Sequence, residues 1–288
     1  MRPRPFPELL DEAVLLARRR PLSVVWRIGV PLAVVNAGWA AITSWFVTGA
    51  FATADPNLLF GALGAMFAAL PLFFAAQLVA YAALAVAATG RALGREMGLR
   101  ESLRFVFRLR TLGTLALVAF LLVGSIVLLV FPFFVVSALV SFLYPVMIDE
   151  ARFGMTAVSR SSSLAWRNPR GLLQTWPLLL VMTIHAVFFA ISTGLSLAVQ
   201  APFQVVQQVV TFRQALGGAA ADPTELMSLM WLQVPLGIVT TFTSLLAAWY
   251  LFVCLAIVFR DVRERREATT LARRIEGWTA APSTGAEP

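Results

Sequence analysis

The sequence has no lysine, a single histidine and a single cysteine, and only 13% of its residues are charged. Soluble domains carry about 25% charged residues, so this composition is unlike that of a typical cytosolic enzyme. Cys254 has no partner for an internal disulfide, which excludes a disulfide-stapled secreted scaffold. Hydrophobic residues make up 59% of the 288 residues, and the mean hydropathy is +0.80. A soluble fold of this size cannot bury so much apolar surface, and the composition predicts a polytopic membrane protein.

Apolar runs predict an all-α integral membrane protein with six transmembrane helices. A spanning helix needs about 20 apolar residues, whereas residues 111–147 form a run of 37 without a charge. One helix of that length would measure about 55 Å, too long for the bilayer core. Because Pro132 lies near the middle, we expect two helices there, the second of them tilted or only partly inserted. The predicted spans are about 24–51, 58–89, 111–131, 133–147, 171–199 and 228–259, within a single membrane domain over 1–276 and before a disordered tail over 277–288.

The arginines predict the orientation of these spans. Of the 23 arginines, 22 lie before or at the start of span one, between spans two and three, between spans four and five, or after span six, and only Arg213 lies on the opposite side. Six spans place all 22 in the cytoplasm, as the positive-inside bias requires, whereas a single span over 111–147 does not. We therefore expect a multi-pass protein of the bacterial cytoplasmic (inner) membrane with both termini cytoplasmic. The N-terminal segment lacks a signal peptide's apolar core and is expected to be retained.

Three predicted amphipathic helices precede apolar runs, at 8–20, 94–110 and 155–167. In the second of them, apolar residues share one face, while arginines follow four-residue steps on another: Arg100, Arg104 and Arg108. Such a helix is suited to lie in the membrane interface, with its arginines toward anionic headgroups. The recurrence suggests three repeats of one unit, an amphipathic helix followed by a helical hairpin.

The segment after the fourth predicted span combines charges with an interfacial aromatic residue. Glu150 lies at the exit of that span, and the helix that follows is expected to present Arg160, Ser161 and Trp166 at the surface. One interpretation is an interfacial elbow, with arginines near lipid phosphates and Trp166 in the aromatic belt. The other is a polar lip, at which Glu150, Arg160 and Ser161 hold a lipid headgroup or the loop of a partner protein.

Residues that could carry chemistry are sparse. His185 lies in the middle of span five, where a histidine is a candidate for function. We find no charged residue deep in a predicted span that could act with it, so a hydrogen bond to a neighbouring helix is the simpler interpretation. Metal-ligand spacings, phosphate loops and hydrolase motifs are absent, and we expect no cofactor, no metal and no enzymatic activity. The net charge of +8 is explained by membrane anchoring, so no nucleic acid partner is expected.

Uncharged polar residues, prolines and glycines within the spans leave a second class of function open. Amides in or near the spans more often join helices than bind a solute, and the prolines could break spans as in transporters. Transport requires a polar cavity that reaches the midplane, whereas packed apolar helices without one favour a scaffold. A ladder of Gly90, Gly94 and Gly98 at the end of span two indicates either close helix packing or a hinge. The amides are Asn36, Gln77, Gln174 and Gln233.

The segment around Glu150 resembles bacterial multi-pass proteins grouped with the membrane domain of glycerophosphoryl diester phosphodiesterases, and the related YciC-like proteins. The matching residues are Pro145, Glu150, Gly154, Ala157, Arg160, Ser161 and Trp166. Val158 stands where these proteins usually have leucine, and the likeness covers roughly 90–200. The resemblance implies a six-helix membrane protein, mostly without an assigned activity. Some members are fused to a soluble phosphodiesterase; these residues lack its acidic metal site, so that activity is not carried over.

These observations together predict a non-enzymatic function. We expect a membrane-embedded scaffold or accessory module that binds anionic lipid headgroups, or a partner protein in the membrane or cytoplasm, through its arginine-rich cytoplasmic face. The alternative is a membrane transporter or permease subunit with a central path. An intramembrane enzyme that uses His185 is the third candidate.

Overall fold

The computed structural model describes residues 6–18, 21–53, 56–128, 130–166, 176–217 and 223–279. These residues form helices and no strand. The helices are α1 (Phe6–Arg18), α2 (Pro21–Thr53), α3 (Pro56–Ala92), α4 (Leu99–Val106), α5 (Leu109–Leu128), α6 (Val130–Val140), α7 (Leu143–Asp149), α8 (Met155–Trp166), α9 (Pro177–Gly217) and α10 (Pro223–Thr279). The all-α prediction is thereby confirmed, and each of the three amphipathic segments predicted contains a short helix.

The centre of the bundle is formed by α3 and α10. Seven consecutive residues of each helix are buried, 82–88 in α3 and 253–259 in α10. A helix buried on every side must be surrounded by other helices, and α10 packs against α1, α2, α3 and α9. Alanine supplies five of the seven residues in α3, and such small side chains let backbones approach closely. Cys254 belongs to this core.

Four helices are long and apolar enough to cross a membrane, by length and composition: Ser23–Thr43, Leu63–Ala92, Pro177–Val206 and Trp231–Ala268. A fifth arises if α4 and α5 are counted as one span, although the two helices meet at 71°. Large apolar side chains such as Phe67 and Leu72 are exposed on these helices. Because water-exposed phenylalanine and leucine are unfavourable in such numbers, this surface is suited to lipid.

The apolar run 111–147 contains the helices α5, α6 and α7. Helix α5 ends at Leu128 and α6 begins at Val130, and residue 129 lies outside the described residues; Pro132, where the division was predicted, lies within α6. A break at Phe142 divides the predicted helix 133–147 into α6 and α7. The apolar stretch Phe134–Asp149 is consequently too short for a separate span by length alone.

The two long C-terminal helices extend beyond the predicted spans. Helix α9 continues from span five past residue 199 to Gly217, and α10 continues past residue 259 to Thr279. Three ion pairs at four-residue spacing link charged residues of α10, for example Arg263 and Glu267 at 2.7 Å, and such pairs support an exposed helix. Residues 277–279 of the predicted disordered tail belong to α10, and residues 280–288 lie outside the described residues.

The second amphipathic helix is shorter than predicted, because a turn precedes it. The amide of Gly94 donates to the carbonyl of Arg91 at 3.1 Å, and the amide of Arg95 donates to that of Gly90 at 2.7 Å. With a φ of 76° at Gly94, these bonds form a Schellman motif that ends α3. Glycine is favoured there because other residues avoid a positive φ. The glycine ladder thus forms a helix stop rather than a helix–helix packing face.

Candidate functional sites: an arginine-rich end and a polar chamber

Long-range polar contacts gather the basic segments at one end of the bundle. Arg260 of α10 pairs with Glu12 of α1, and the indole of Trp249 donates to the carbonyl of Ala17 at 3.3 Å. Arg266 donates to the carbonyl of Ser163 in α8 at 2.6 Å. These contacts join segments 102 to 248 residues apart in the sequence. We call this the arginine-rich end.

The helical hairpin formed by α5 and by α6 with α7 begins and ends at the arginine-rich end. The hydroxyl of Thr114 near the start of α5 accepts a hydrogen bond from the amide of Gly154, which follows α7, at 2.6 Å. Gly154 has a φ of 62°. The chain therefore leaves the arginine-rich end at α5 and returns to it by α7, the arrangement that the arginine distribution predicts for two helices in this run.

Glu150 lies between two arginines at the base of this hairpin. Its oxygens accept hydrogen bonds from Arg160 Nε at 2.9 and 3.0 Å, and Arg160 Nη2 lies 2.9 Å from Oε1. Arg152 Nε lies 3.2 Å from Oε2. The side chain of Glu150 is only 10% exposed. Glu150 and Arg160, two of the three residues of the proposed polar lip, are thus paired with each other, which leaves little capacity for a headgroup.

Asp149 is a second acidic centre, which the sequence interpretation did not include in its site. It pairs with Arg263 of α10 and lies 3.7 Å from Nη2 of Arg95. Arg95 also donates to the carbonyl of Ile148 at 2.8 Å. The adjacent acids Asp149 and Glu150 were visible in the sequence, but their partners come from the turn after α3, from α8 and from α10.

The expectation that α8 presents Ser161 at the surface is wrong. Ser161 is fully buried, and its hydroxyl donates to the carbonyl of Leu139 at 2.7 Å. That carbonyl is at the C-terminal end of α6, where backbone acceptors lack helical partners. Trp166 is 57% exposed, as expected, and its ring meets Trp176 edge-on at 5.7 Å. Segment 145–166 is therefore held by internal contacts, which favours the interfacial-elbow interpretation.

The arginines of α4 differ from those around the acidic pair. Arg100, Arg104 and Arg108 are exposed, and no ion pair joins any of them to an acid in the described part of the chain. Glu101, the acid within α4, lies 3.3 Å from the amide of Gly98, at the start of its own helix. Arg108 stacks over the ring of Phe105 at 5.5 Å. This arginine row consists of charges that the described protein does not neutralise.

An apolar groove lies beside the arginine row, between α2, α3 and α4. Its volume is about 440 Å³. Its lining residues Leu99 and Leu103 of α4, and Phe107 at the C-cap of α4, each immediately precede an arginine of the row. The α2 wall begins at Arg27 and the α3 wall is rich in alanine and valine. The groove is thus apolar, with Arg27 in its lining and the arginine row next to its lining residues in the sequence.

A polar chamber of about 550 Å³ lies among α2, α3, α9 and α10. At about 1.5 Å per residue, Asn36 lies about 14 Å along α2 from Arg27, and Tyr81 lies about 15 Å along α3 from Arg91. Half of a hydrocarbon core of about 30 Å is 15 Å. If Arg27 and Arg91 mark the edge of that core, Asn36 and Tyr81 lie at the depth of its midplane. The chamber is lined by Asn36, Ala40, Gln77, Tyr81, Gln200, Phe203, Gln204, Gln233, Leu236, Gly237, Thr240, Thr241 and Ser244.

Part of the chamber wall is a hydrogen-bonded chain that joins three helices. Gln77 Nε2 donates to Asn36 Oδ1 at 2.5 Å, and Asn36 Nδ2 donates to Thr241 Oγ1 at 2.7 Å. Tyr81 and Ser244 also share a hydrogen bond. Asn36 and Gln77 therefore connect helices, as the sequence interpretation favours. Gln174 lies outside the described residues.

A second cavity, of about 330 Å³, adjoins the chamber, since Tyr81 and Ser244 line both. It is mainly apolar and contains His185. His185 Nδ1 lies 2.9 Å from the carbonyl of Val181, which fixes the proton on that nitrogen, and Nε2 lies 3.4 Å from the hydroxyl of Ser141. The histidine is therefore bound to its own helix and approaches a second chain segment, which suits a structural role.

Among the described residues, no group of three or more His, Cys, Asp or Glu side chains is arranged to hold a metal ion. Comparisons of the chain with protein-family models, with curated proteins and with solved structures gave no match. The resemblance to the membrane domain of glycerophosphoryl diester phosphodiesterases and to YciC-like proteins accordingly stays a prediction.

Proposed function

We propose that the chain is a non-enzymatic membrane module that binds anionic phospholipid at the groove between α2, α3 and α4. The observation that carries this proposal is the adjacency of that apolar groove to the arginine row. An acyl chain suits the apolar walls, and the lipid phosphate suits the guanidinium groups, which bind phosphate oxygens through paired N–H donors.

The arrangement of charge supports the groove over the α7–α8 elbow as the lipid site. Around Asp149 and Glu150 the arginines are already paired with carboxylates. On α4 no carboxylate competes with lipid phosphate for the arginine row in the described chain. Of the residues predicted to bind lipid, we therefore retain Arg100, Arg104 and Arg108 and assign Glu150, Arg160 and Ser161 to the fold.

Arg104→Ala is expected to reduce the amount of anionic lipid that the protein retains. Losing one phosphate contact of this kind removes about 1 kcal/mol near a membrane surface, which corresponds to roughly a fivefold loss of occupancy at limiting lipid. Native mass spectrometry of protein released gently from its membrane measures the bound phosphatidylglycerol or cardiolipin directly.

The matched control is Arg152→Ala, which removes an equal charge at the elbow, away from the groove. Its lipid adducts are expected to stay at the wild-type level. Equal losses in the two variants would mean that net charge alone retains lipid. Unchanged adducts in Arg104→Ala would remove the arginine row from the site.

The proposal includes six spans with the arginine-rich end in the cytoplasm. Helix α5 has 20 residues, and α6 with α7 covers residues 130–149 on the return path. At about 1.5 Å per residue α5 has the length of a bilayer core, about 30 Å, whereas the return path is interrupted at Phe142. The order of short and long helices also matches three successive units, α1–α3, α4–α7 and α8–α10, which supports the predicted repeat.

Cysteine accessibility tests this orientation. In a Cys254→Ala background, cysteines at positions 108 and 159, which are exposed at the arginine-rich end, are expected to resist a membrane-impermeant thiol reagent in intact cells and to react after permeabilisation. Cysteines at 55 and 220, which lie outside the described residues, are expected to react in intact cells. The reverse pattern would invert the orientation.

The alternative, a transporter or permease subunit, is favoured by one observation, the polar chamber. The sequence interpretation made a polar cavity at the midplane the requirement for transport, and a chamber of this kind lies among four long helices. Towards Arg260, α10 continues from the chamber with the fully buried side chains Leu245, Trp249 and Val253. Transport would need a path past these side chains.

A further inference from the structure

The chamber contains polar groups that the protein itself does not satisfy. Asn36, Gln77 and Thr241 are bonded to one another, but in the described chain no hydrogen bond is made by the carboxamides of Gln204 and Gln233. Gln200 only approaches Ser196, at 3.5 Å. Gln204 is exposed and Gln233 is half-buried. Water or a polar ligand must therefore meet these amides.

The lining also restricts the charge of that ligand. All thirteen lining residues are uncharged at neutral pH. An ion transferred to this depth would lose its hydration without gaining a counter-charge, which is strongly unfavourable. A neutral ligand avoids this penalty.

The donor and acceptor pattern restricts the ligand further. Each carboxamide offers two N–H donors and an acceptor oxygen, and each hydroxyl is both donor and acceptor. A ligand that matches such a lining must itself both donate and accept at several neighbouring atoms, as adjacent hydroxyl groups do. The volume of about 550 Å³ lies within the range of small-molecule sites, about 300–1,000 Å³.

We propose that the chamber between α2, α3, α9 and α10 binds a neutral polyhydroxylated group, supplied either by a free sugar or polyol or by the headgroup of a glycolipid. The chamber opens beside Gln200, Gln204 and Gln233, on the part of α9 and α10 farthest from the arginine-rich end. This site is separate from the groove at α4, and the inference stands independently of the anionic-lipid proposal.

The test uses the full chain in lipid nanodiscs with three probes. Glucose represents the free solute and is measured by saturation-transfer NMR. Monoglucosyl diacylglycerol represents the lipid-borne headgroup and is measured by native mass spectrometry. Glucose 6-phosphate, measured like glucose, replaces one hydroxyl of glucose by a charged phosphate ester. We expect glucose or the glucolipid to bind with a Kd in the millimolar range or tighter, and glucose 6-phosphate to bind at least tenfold more weakly than glucose where glucose binds.

The variant is Gln204→Leu with Gln233→Leu, which keeps side-chain size and removes amides that make no intrachain bond. It is expected to lower binding at least tenfold while the Tm stays at the wild-type value. The matched control, Gln208→Leu, changes an exposed glutamine of α9 that does not line the chamber and should leave binding unchanged. Gln233→Leu alone replaces the double variant if the latter unfolds.

Each outcome decides the proposal. Binding of glucose alone assigns the site to a free solute, and binding of the glucolipid alone assigns it to a lipid headgroup. Binding that survives the double variant, equal binding of glucose 6-phosphate, or no binding of either neutral probe overturns the inference and leaves a hydrated polar seam between helices. Retention of anionic lipid by the double variant shows that the α4 groove is intact whatever the chamber does.

Discussion

Glu150→Ala is expected to destabilise the protein by about 3 kcal/mol, the lower part of the range for removing one partner of a buried ion pair. The carboxylate is 10% exposed and holds Arg160 through paired hydrogen bonds, and Arg160 is itself only 28% exposed. Its removal leaves a guanidinium that is largely desolvated and without its partner. The free energy of unfolding in detergent micelles, measured by denaturant titration, gives the size of the effect.

A double-mutant cycle separates the pair from other effects of the substitution. The variant that combines Glu150→Ala with Arg160→Ala is expected to lose less stability than the sum of the single changes, because it leaves neither charge unpaired. Arg104→Ala, a change at an exposed arginine of α4, should stay within about 0.5 kcal/mol of the wild type. Additive losses at Glu150 and Arg160 would contradict the direct coupling.

Gly90→Val is the second change with a large expected effect, a loss of about 2 to 3 kcal/mol, as for overpacking of a closely packed site. A Cβ atom at this position would lie 2.9 Å from the carbonyl oxygen of Arg95 and 2.9 Å from Cγ of Met97. The first contact is with backbone, which cannot rotate away. The turn that ends α3 would have to open, and Arg95 would move from the carbonyl of Ile148 and from Asp149.

Gly113→Ala is the matched control for this prediction. Gly113 lies within α5, and a Cβ atom there has no neighbour within 4 Å. Alanine is favoured over glycine in a helix by about 0.5 to 1 kcal/mol, so this variant should be as stable as the wild type or more stable. Thermal unfolding of both variants in the same detergent makes the comparison. A wild-type Tm for Gly90→Val would show that the turn tolerates a branched side chain.

The positions of the long helices could be predicted from hydropathy because a bilayer demands continuous apolar length. The runs near 24–51, 58–89 and 228–259 each contain a helix long and apolar enough to span. The helix ends were less predictable. Helix α4 is short because Gly94 and Arg95 complete a backbone turn with Arg91 and Gly90, and hydrophobic periodicity carries no information about such a turn.

The site residues were predicted in part. The alternation of Leu99, Leu103 and Phe107 with the arginine row is a property of local spacing and was visible in the sequence. That Ser161 is buried was not, because its acceptor is the carbonyl of Leu139, on another helix. Residues Glu150 and Arg160 were named together, but a pattern of charges does not say whether they face a ligand or each other.

The polar chamber likewise depends on contacts between helices that a local sequence pattern does not show. The sequence shows Asn36, Gln77 and Gln233 as amides in or near apolar runs. It also shows glutamines after residue 199 at spacings that place them on one face of a helix. Their convergence on a single volume depends on how four helices cross, and it joins residues up to 205 positions apart.

By itself, the sequence determined that this chain is helical, suited to a membrane and basic in particular segments, because hydrophobic length and charge placement act locally along the chain. The tertiary structure decided which of those charges are neutralised and which polar groups share a cavity. Hydrogen bonds and ion pairs form between helices that meet only after folding, so the acids at 149 and 150 became part of the fold, while the arginines of α4 and the amides of the chamber were left to bind something else.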